Sequence, residues 1–175
     1  MLLSHIDKPV FVILGPTGVG KTDFSLDFAK KINGEIISAD SRLFYRGMDI
    51  GTAKPSKDEM QIVPHHLIDV CEPDENWSLA LYQEAVNKLI SEIHAREHIP
   101  ILVGGTGQYI KAIVEGWDLP NQEPDDHLRE ILDEIAKEKG KEAIYKILTS
   151  MDPETLNYVE YQNTRRVVRA LEVIL

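Results

Sequence analysis

The residues with the clearest chemical potential are Gly15-Pro16-Thr17-Gly18-Val19-Gly20-Lys21-Thr22, which match the spacing G-x-x-x-x-G-K-[ST]. Glycines at this spacing let backbone N–H groups close around phosphate oxygens without interference from a Cβ. Lys21 supplies a mobile cation, and Thr22 a hydroxyl suited to Mg²⁺. A helix starting behind the loop would add the partial positive charge of its N-terminus. Gly15 to Thr22 therefore predicts a polyphosphate site, without saying which polyphosphate. Kinases and nucleotide hydrolases usually add a second strand that ends in an acidic residue and helps to hold the metal. Here Ile101-Leu102-Val103 runs into Gly104-Gly105 with no carboxylate, and Asp40 is the only carboxylate placed at a strand end near the loop. Strand ends on this edge of an open α/β sheet form the ligand crevice.

The elements that must position these groups are legible in the apolar pattern. Val10 to Leu14 is a short β-branched and aromatic run that reads as a buried parallel strand. Phe24, Phe28 and Ile32 then recur at helical spacing until Asn33-Gly34. Glu35 to Ala39 reads as a second strand, and His66 to Val70 as a third. Between them, Arg42 to His65 has little periodicity, the mark of a functional or mobile segment. Ser78 is a plausible N-cap for a helix carrying Tyr82, Ala85, Val86, Leu89, Ile90 and Ile93 on one face. Ile99 to Val103 is another buried strand, followed by a glycine turn and a helix to about Val114. This alternation predicts an α/β fold, a parallel sheet with helices on both faces.

After Pro120 the pattern becomes all-helical. Leu128, Ile131, Leu132 and Ile135 mark one helix, Gly140 interrupts, and Ala143, Ile144, Ile147 and Leu148 mark the next. Asp152-Pro153 reads as an N-cap with proline at the first helical position, and a last helix begins near Asn163. The pattern divides the chain into an α/β core over 1–120, an all-helical stretch over 121–161 and a last helix over 162–175. The chain stops inside that helix without a C-cap, so a longer parent protein is expected.

Composition narrows the setting. The net charge of −10 argues weakly against nucleic acid, but it is unevenly spread. Asp118, Glu123, Asp125, Asp126, Glu130, Asp133, Glu134 and Glu138 crowd one stretch, most simply a solvated helix face. Arg165, Arg166 and Arg169 cluster near the C-terminus. A single cysteine, Cys71, excludes an internal disulfide and fits a reducing cytosol. No apolar run approaches the roughly 20 residues that span a bilayer.

Several segments together resemble bacterial tRNA dimethylallyltransferases. They are the Gly-Pro-Thr start of the phosphate loop, Ser38-Ala39-Asp40-Ser41, Tyr45 to Pro55 with its Asp-Ile-Gly-Thr-Ala-Lys-Pro run, Pro64 to Asp69, Gly104 to Tyr109, and Arg169 to Val173. The resemblance implies a P-loop NTPase-like fold and transfer of dimethylallyl from its diphosphate to N6 of adenosine 37 in tRNAs that read codons starting with U. It implies Mg²⁺, a cytoplasmic and monomeric protein, and no membrane. It makes Asp40 the base, with Lys21 and Thr106 also in the catalytic set. It places Asp40, Ser41, Arg42, Leu43 and Thr106 against the tRNA, with Arg165, Arg166, Val167, Val168 and Arg169 facing the anticodon stem-loop, and it makes 121–161 a helical insertion that contacts the tRNA and 162–175 a helix returning to the core. Two positions depart from the family pattern. Leu43 and Arg165 stand where glutamine is usual or common. Family members continue well beyond Leu175, with further tRNA contacts and an arginine on the diphosphate, so a chain ending here is expected to be weakly active or inactive.

Other readings stay open at this point. A nucleotide or small-molecule kinase could use the same loop, as could a non-catalytic nucleotide- or RNA-binding protein, or a prenyltransferase acting on free adenylate. His65-His66 does not read as a metal pair, because adjacent histidines on an extended chain point apart. Trp77 and Trp117 read as packing residues.

Overall fold

Strands of four to six residues with apolar side chains at consecutive positions need partners on both faces, and the sheet provides them. In the computed structural model, which describes residues 8–49, 52, 54–120 and 125–175, the strands are β1 (Phe11–Leu14), β2 (Gly34–Ser38), β3 (His65–His66) and β4 (Ile99–Gly104). All pair in parallel, in the order β1-β4-β2-β3. The helices of this part are α1 (Lys21–Ile32), α2 (Lys57–Ile62), α3 (Leu79–Ala95) and α4 (Gly107–Val114). Alternation along β2 and β4 sends Ile36 and Ile101 to a cluster with Leu26 and Ala29 of α1. Ile37 and Leu102 go to the other face, against Tyr82, Val86 and Ile93 of α3 and Ile110 of α4. The parallel sheet with helices on both faces is thus present.

Three expectations are corrected. β1 is not buried: among the described residues it is an edge strand, and Phe11, Val12 and Leu14 are 39%, 40% and 55% exposed. The third strand does not run from His66 to Val70 but is the pair His65–His66. Leu67 and Asp69 take φ of 57° and 54°, a left-handed conformation that breaks the extended chain. Finally, the stretch before it is not structureless. It holds α2, whose N-terminus is a reciprocal capping box: Ser56 Oγ accepts from Glu59 N–H, and Glu59 Oε2 accepts from Ser56 N–H. The Ser-x-x-Glu spacing carried that signal in the sequence.

A buried carboxylate ties the far ends of β2 and β4 together. Glu35 is 3% exposed, and its oxygens meet Arg96 Nε at 3.0 Å, Arg96 Nη2 at 2.8 Å, His66 Nε2 at 2.6 Å and His98 Nδ1 at 2.7 Å. Burial alone would raise this carboxyl, but the hydrogen bonds from Arg96, His66 and His98 outweigh it and hold the pKa at about 2.

The chain divides into two units, Met1–Leu119 and Pro120–Leu175. The second contains α5 (Asp126–Lys139), α6 (Lys141–Met151), a 3₁₀ turn over Pro153–Asn157, and α7 (Thr164–Ile174). Its core joins Leu132, Ile144, Leu148, Val159, Val167, Val168 and Leu171, so the last helix packs within this unit. Glu172, 1% exposed, receives Arg129 Nε at 2.6 Å and Arg169 Nη1 at 3.3 Å. Glu123, part of the acidic stretch, and Asn121, the expected insertion boundary, lie outside the described residues. Among the described residues no helix is long and apolar enough to cross a membrane.

Candidate functional site

Three turns at the carboxyl ends of neighbouring strands meet at one edge of the sheet. After β1 comes the phosphate loop, after β4 comes Gly105-Thr106, and after β2 comes Ala39-Asp40. Strands lie about 4.8 Å apart, so the order β1-β4-β2 sets Asp40 roughly 10 Å from the loop with Thr106 between them. The close approach has a specific cause at Gly104. A Cβ there would lie 2.4 Å from the Ala39 carbonyl oxygen, so only glycine allows the turn after β4 to sit against the end of β2. A side chain at Gly105 would lie 3.5 Å from the Gly15 carbonyl, which brings the turn beside the loop as well.

Gly18 and Gly20 of the phosphate loop have φ of 83° and 80°, which turns successive N–H groups toward one side. Lys21 folds back and donates from Nζ to the Pro16 carbonyl at 2.6 Å, a bond that an incoming phosphate oxygen can replace. Thr22 opens α1 beside it, and its carbonyl accepts from Ser25 Oγ at 2.8 Å. Neither α1, capped by Gly20, nor α4, capped by Thr106, has its N-terminal N–H groups taken by a side-chain cap. Both helices therefore turn open positive ends toward the crevice, as anion binding requires. Thr106 does not use its hydroxyl as a cap.

Asp40 follows β2 and is partly buried, its side chain 21% exposed. Its Oδ1 accepts from Arg42 N–H at 3.1 Å and so caps the short 3₁₀ turn Ser41–Leu43. Arg42 projects to solvent, with 62% of its side chain exposed, whereas Leu43 is buried. In the helical unit, Asn163 caps α7, leaving Arg165 and Arg166 exposed. Val167 and Val168, at 0% and 6%, are core residues whose side chains are not offered to a ligand. Arg169 is engaged with Glu172. Arg165 lines an open cleft of about 430 Å³ together with Lys141, Glu160, Gln162, Asn163 and Thr164.

For a divalent ion, the donors near the loop are the Thr22 hydroxyl and the Asp40 carboxylate. No group of three or more His, Cys, Asp or Glu side chains able to hold a metal occurs among the described residues.

Against this geometry, a model of the IPP transferase family matches residues 43–175. The chain belongs to the IPP transferase family. The tRNA dimethylallyltransferase of Herpetosiphon aurantiacus is 52% identical over 164 residues, covering 94% of this chain and 52% of that protein. The one from Roseiflexus castenholzii is 52% identical over 165 residues, covering 94% and 54%. The crystal structure of the full-length tRNA isopentenylpyrophosphate transferase from Bacillus halodurans superposes with a TM-score of 0.64 at 45% identity, covering 96% of this chain and 55% of that one. A eukaryotic dimethylallyltransferase acting on tRNA gives a TM-score of 0.79 at 31% identity, over 95% and 41%. The chain spans about half the length of the curated relatives it matches.

This IPP transferase chain also organises its site with residues that sequence reasoning did not single out. Lys54, with 8% of its side chain exposed, donates to Asp69 Oδ1 at 2.6 Å and to the Tyr45 carbonyl at 3.4 Å, and pairs with Asp49. Burial lowers the Lys54 pKa, but Asp49 and Asp69 more than offset this, and it stays above the ordinary lysine value. Arg46 reaches the Asp69 carbonyl and Glu72. Backbone bonds from Asp69 N–H to Leu43 O and from Val70 N–H to Phe44 O complete the tie. These contacts fasten the segment after Asp40 to the 69–72 segment. The only available signal was that Lys54 stood in the Asp-Ile-Gly-Thr-Ala-Lys-Pro run, of which Ile50, Gly51 and Ala53 lie outside the described residues. Lys54→Ala is expected to speed amide exchange over Leu43–Arg46 by roughly tenfold while β2 and β4 keep their protection, as hydrogen-exchange mass spectrometry would show.

Proposed function

We propose that the protein containing this chain transfers a dimethylallyl group from dimethylallyl diphosphate to N6 of adenosine 37 in tRNAs that read codons beginning with U. The observation that carries the reading is the juxtaposition of an anion-binding loop with Asp40 across the end of β4. An exocyclic amine is a weak nucleophile, so the allylic carbon must become electrophilic as diphosphate departs. The N–H groups of Gly15 to Gly20, Lys21 and the open end of α1 stabilise charge gathering on that leaving group. Attack makes N6 acidic, and Asp40 accepts its proton. An adenosine stacked in an anticodon loop must first be flipped into the crevice, past Ser41, Arg42 and Thr106. Thr22 would help to hold a Mg²⁺ ion, which would supply charge neutralisation to the diphosphate. Arg165 and Arg166 on the helical unit meet the backbone of the anticodon stem-loop. The setting is the cytoplasm, where unmodified tRNA is available, and the protein acts as a monomer.

The direct test uses the chain extended to the full length of its relatives. It is incubated with dimethylallyl diphosphate, Mg²⁺ and unmodified tRNA, and the digested RNA is examined by mass spectrometry for prenyladenosine. ATP turnover on a hydroxyl acceptor, with no prenyladenosine, would replace this reading with a kinase. The loop is tested separately. Lys21→Ala removes charge-assisted bonds to the diphosphate worth about 1.5–3 kcal/mol, so donor affinity should fall roughly 10- to 150-fold. Titration calorimetry reads this directly, and unchanged affinity would remove Lys21 from the site.

A further inference from the structure

Asp40 and Thr106 stand on turns that end two different strands, β2 and β4. Groups on separate turns act together only if the turns are held to each other, within about half an ångström for productive chemistry. The sheet supplies part of that tie. Its ladder pairs Ser38 with Val103, and Ala39 N–H donates to the Val103 carbonyl at 2.8 Å. Past this point the backbone turns into the 3₁₀ turn Ser41–Leu43 on one side and into α4 on the other. Three rings cross from one to the other. Phe44 directly follows the 3₁₀ turn, Tyr109 lies in the first turn of α4, and Tyr82 lies near the start of α3. Their centroids are 5.4 Å apart for Phe44 and Tyr82, 5.6 Å for Phe44 and Tyr109, and 4.8 Å for Tyr82 and Tyr109. All three separations fall in the favourable range for aromatic pairs, so the rings form a closed triangle. Phe44 and Tyr82 are 1% and 0% exposed. The Phe44 carbonyl also accepts from Val70 N–H at 2.7 Å and Cys71 N–H at 3.0 Å, which fixes the backbone that carries its ring. The Tyr82 hydroxyl is buried and has no partner among the described residues, so Tyr82 contributes its ring alone.

We infer that Phe44 and Tyr109, clamped on Tyr82, are positioning residues that hold the Asp40 turn against the Thr106 turn and so set how the substrate amine meets the base. The inference rests on the reading of Asp40 as that base. It assigns the rings a different part from Lys54. The Lys54 contacts run from this segment to Asp69, whereas the rings run to α4. A ring holds well here because phenylalanine and tyrosine have two side-chain torsions each and lose little freedom when packed. Removing one ring should let the two turns drift relative to each other, and a misplacement of about 1 Å can cost on the order of 10²-fold in rate. The phosphate loop ends a third strand, β1, so donor binding should be spared. The expected signature is therefore a slower chemical step at unchanged affinity.

Two measurements test this. The first is hydrogen-exchange mass spectrometry on the 175-residue chain, which needs no activity. Tyr109→Leu keeps an apolar side chain but removes the ring. It should speed amide exchange over Ser41–Phe44 by roughly tenfold, while β2 and β4 keep their protection and so report an intact fold. Phe44→Leu is the reciprocal variant and should speed exchange over Tyr109–Ala112 by a similar factor. The second measurement is single-turnover transfer by the chain extended to the full length of its relatives. Tyr109→Leu and Phe44→Leu should each slow it roughly 10- to 100-fold, with donor and RNA affinity within about twofold. Tyr109→Phe, which keeps the ring, should restore the rate. Ile93→Ala is the control. It opens the same core cluster near the other end of α3, and should lower the melting temperature at least as far while leaving transfer within about twofold. Unchanged exchange across the triangle in both leucine variants overturns the inference. Equal rate deficits in Tyr109→Leu and Ile93→Ala overturn it too, because the loss would then follow stability and not position. A Tyr109→Phe variant as slow as Tyr109→Leu overturns it by moving the role to the hydroxyl. If the unsubstituted extended protein makes no prenyladenosine, the functional reading fails, and the exchange result still decides whether the rings join the two turns.

Discussion

Asp40→Asn should bind donor and RNA normally yet transfer the prenyl group about 10²–10⁴-fold more slowly, a barrier increase of about 3–5 kcal/mol. The substitution is informative because Asp40 holds a turn in addition to its proposed role as base. Its Oδ1 caps the turn at Ser41–Leu43 through Arg42 N–H, and asparagine can accept that same bond. Local structure should therefore survive while the capacity to take a proton from N6 is lost. Single-turnover kinetics with the full-length protein separate the two, since the deficit belongs in the chemical step and not in affinity. If Asp40 instead served the metal, activity would return at high Mg²⁺. Near-normal single-turnover transfer would exclude Asp40 from the mechanism.

Glu35→Gln should destabilise the chain at neutral pH by about 2–3 kcal/mol, and should flatten its loss of stability in acid. In the folded protein the Glu35 carboxyl sits at about 2, against an ordinary value of 4.5. A depressed folded value means the contribution is complete above 4.5 and disappears as pH falls from there toward 2. The figure is set below the full conversion of the shift because 45% of the Arg96 side chain faces solvent. Glutamine presents an NH₂ where Arg96, His66 or His98 needs an acceptor, so it cannot restore the set. Urea unfolding of both proteins from neutral pH into acid measures the effect. Parallel pH profiles would show that another group carries the acid sensitivity. Glu35 stands at the end of β2 opposite Asp40, so neutral-pH chemistry should be little changed in the molecules that remain folded.

Determinants that act within a turn or two were legible in the sequence. The phosphate loop is one, because glycines at Gly18 and Gly20 and a helix starting at Lys21 are requirements of a local backbone path. The helices with Ser78, Asp152 and Asn163 at their starts are others, since a cap and an apolar stripe lie within about ten residues. The placement of Asp40 on the same edge as the loop was legible because strand ends on one edge of a parallel sheet share a crevice whatever the strand order. Tertiary structure decided the rest, through partners distant in sequence. An apolar run such as Val10 to Leu14 has the same pattern whether it is central or at an edge, and only the order β1-β4-β2-β3 left it open. Lys54 became an organising residue only when chain reversal brought Asp69 to its ammonium. Glu35 is one acidic residue in an apolar strand until Arg96 and His98, some sixty residues away, close on it. Within Arg165 to Arg169, helix rotation against α5 and α6 turned Val167 and Val168 inward and left Arg165 and Arg166 outside. That choice depends on which face the neighbouring helices bury, and no local spacing contains it.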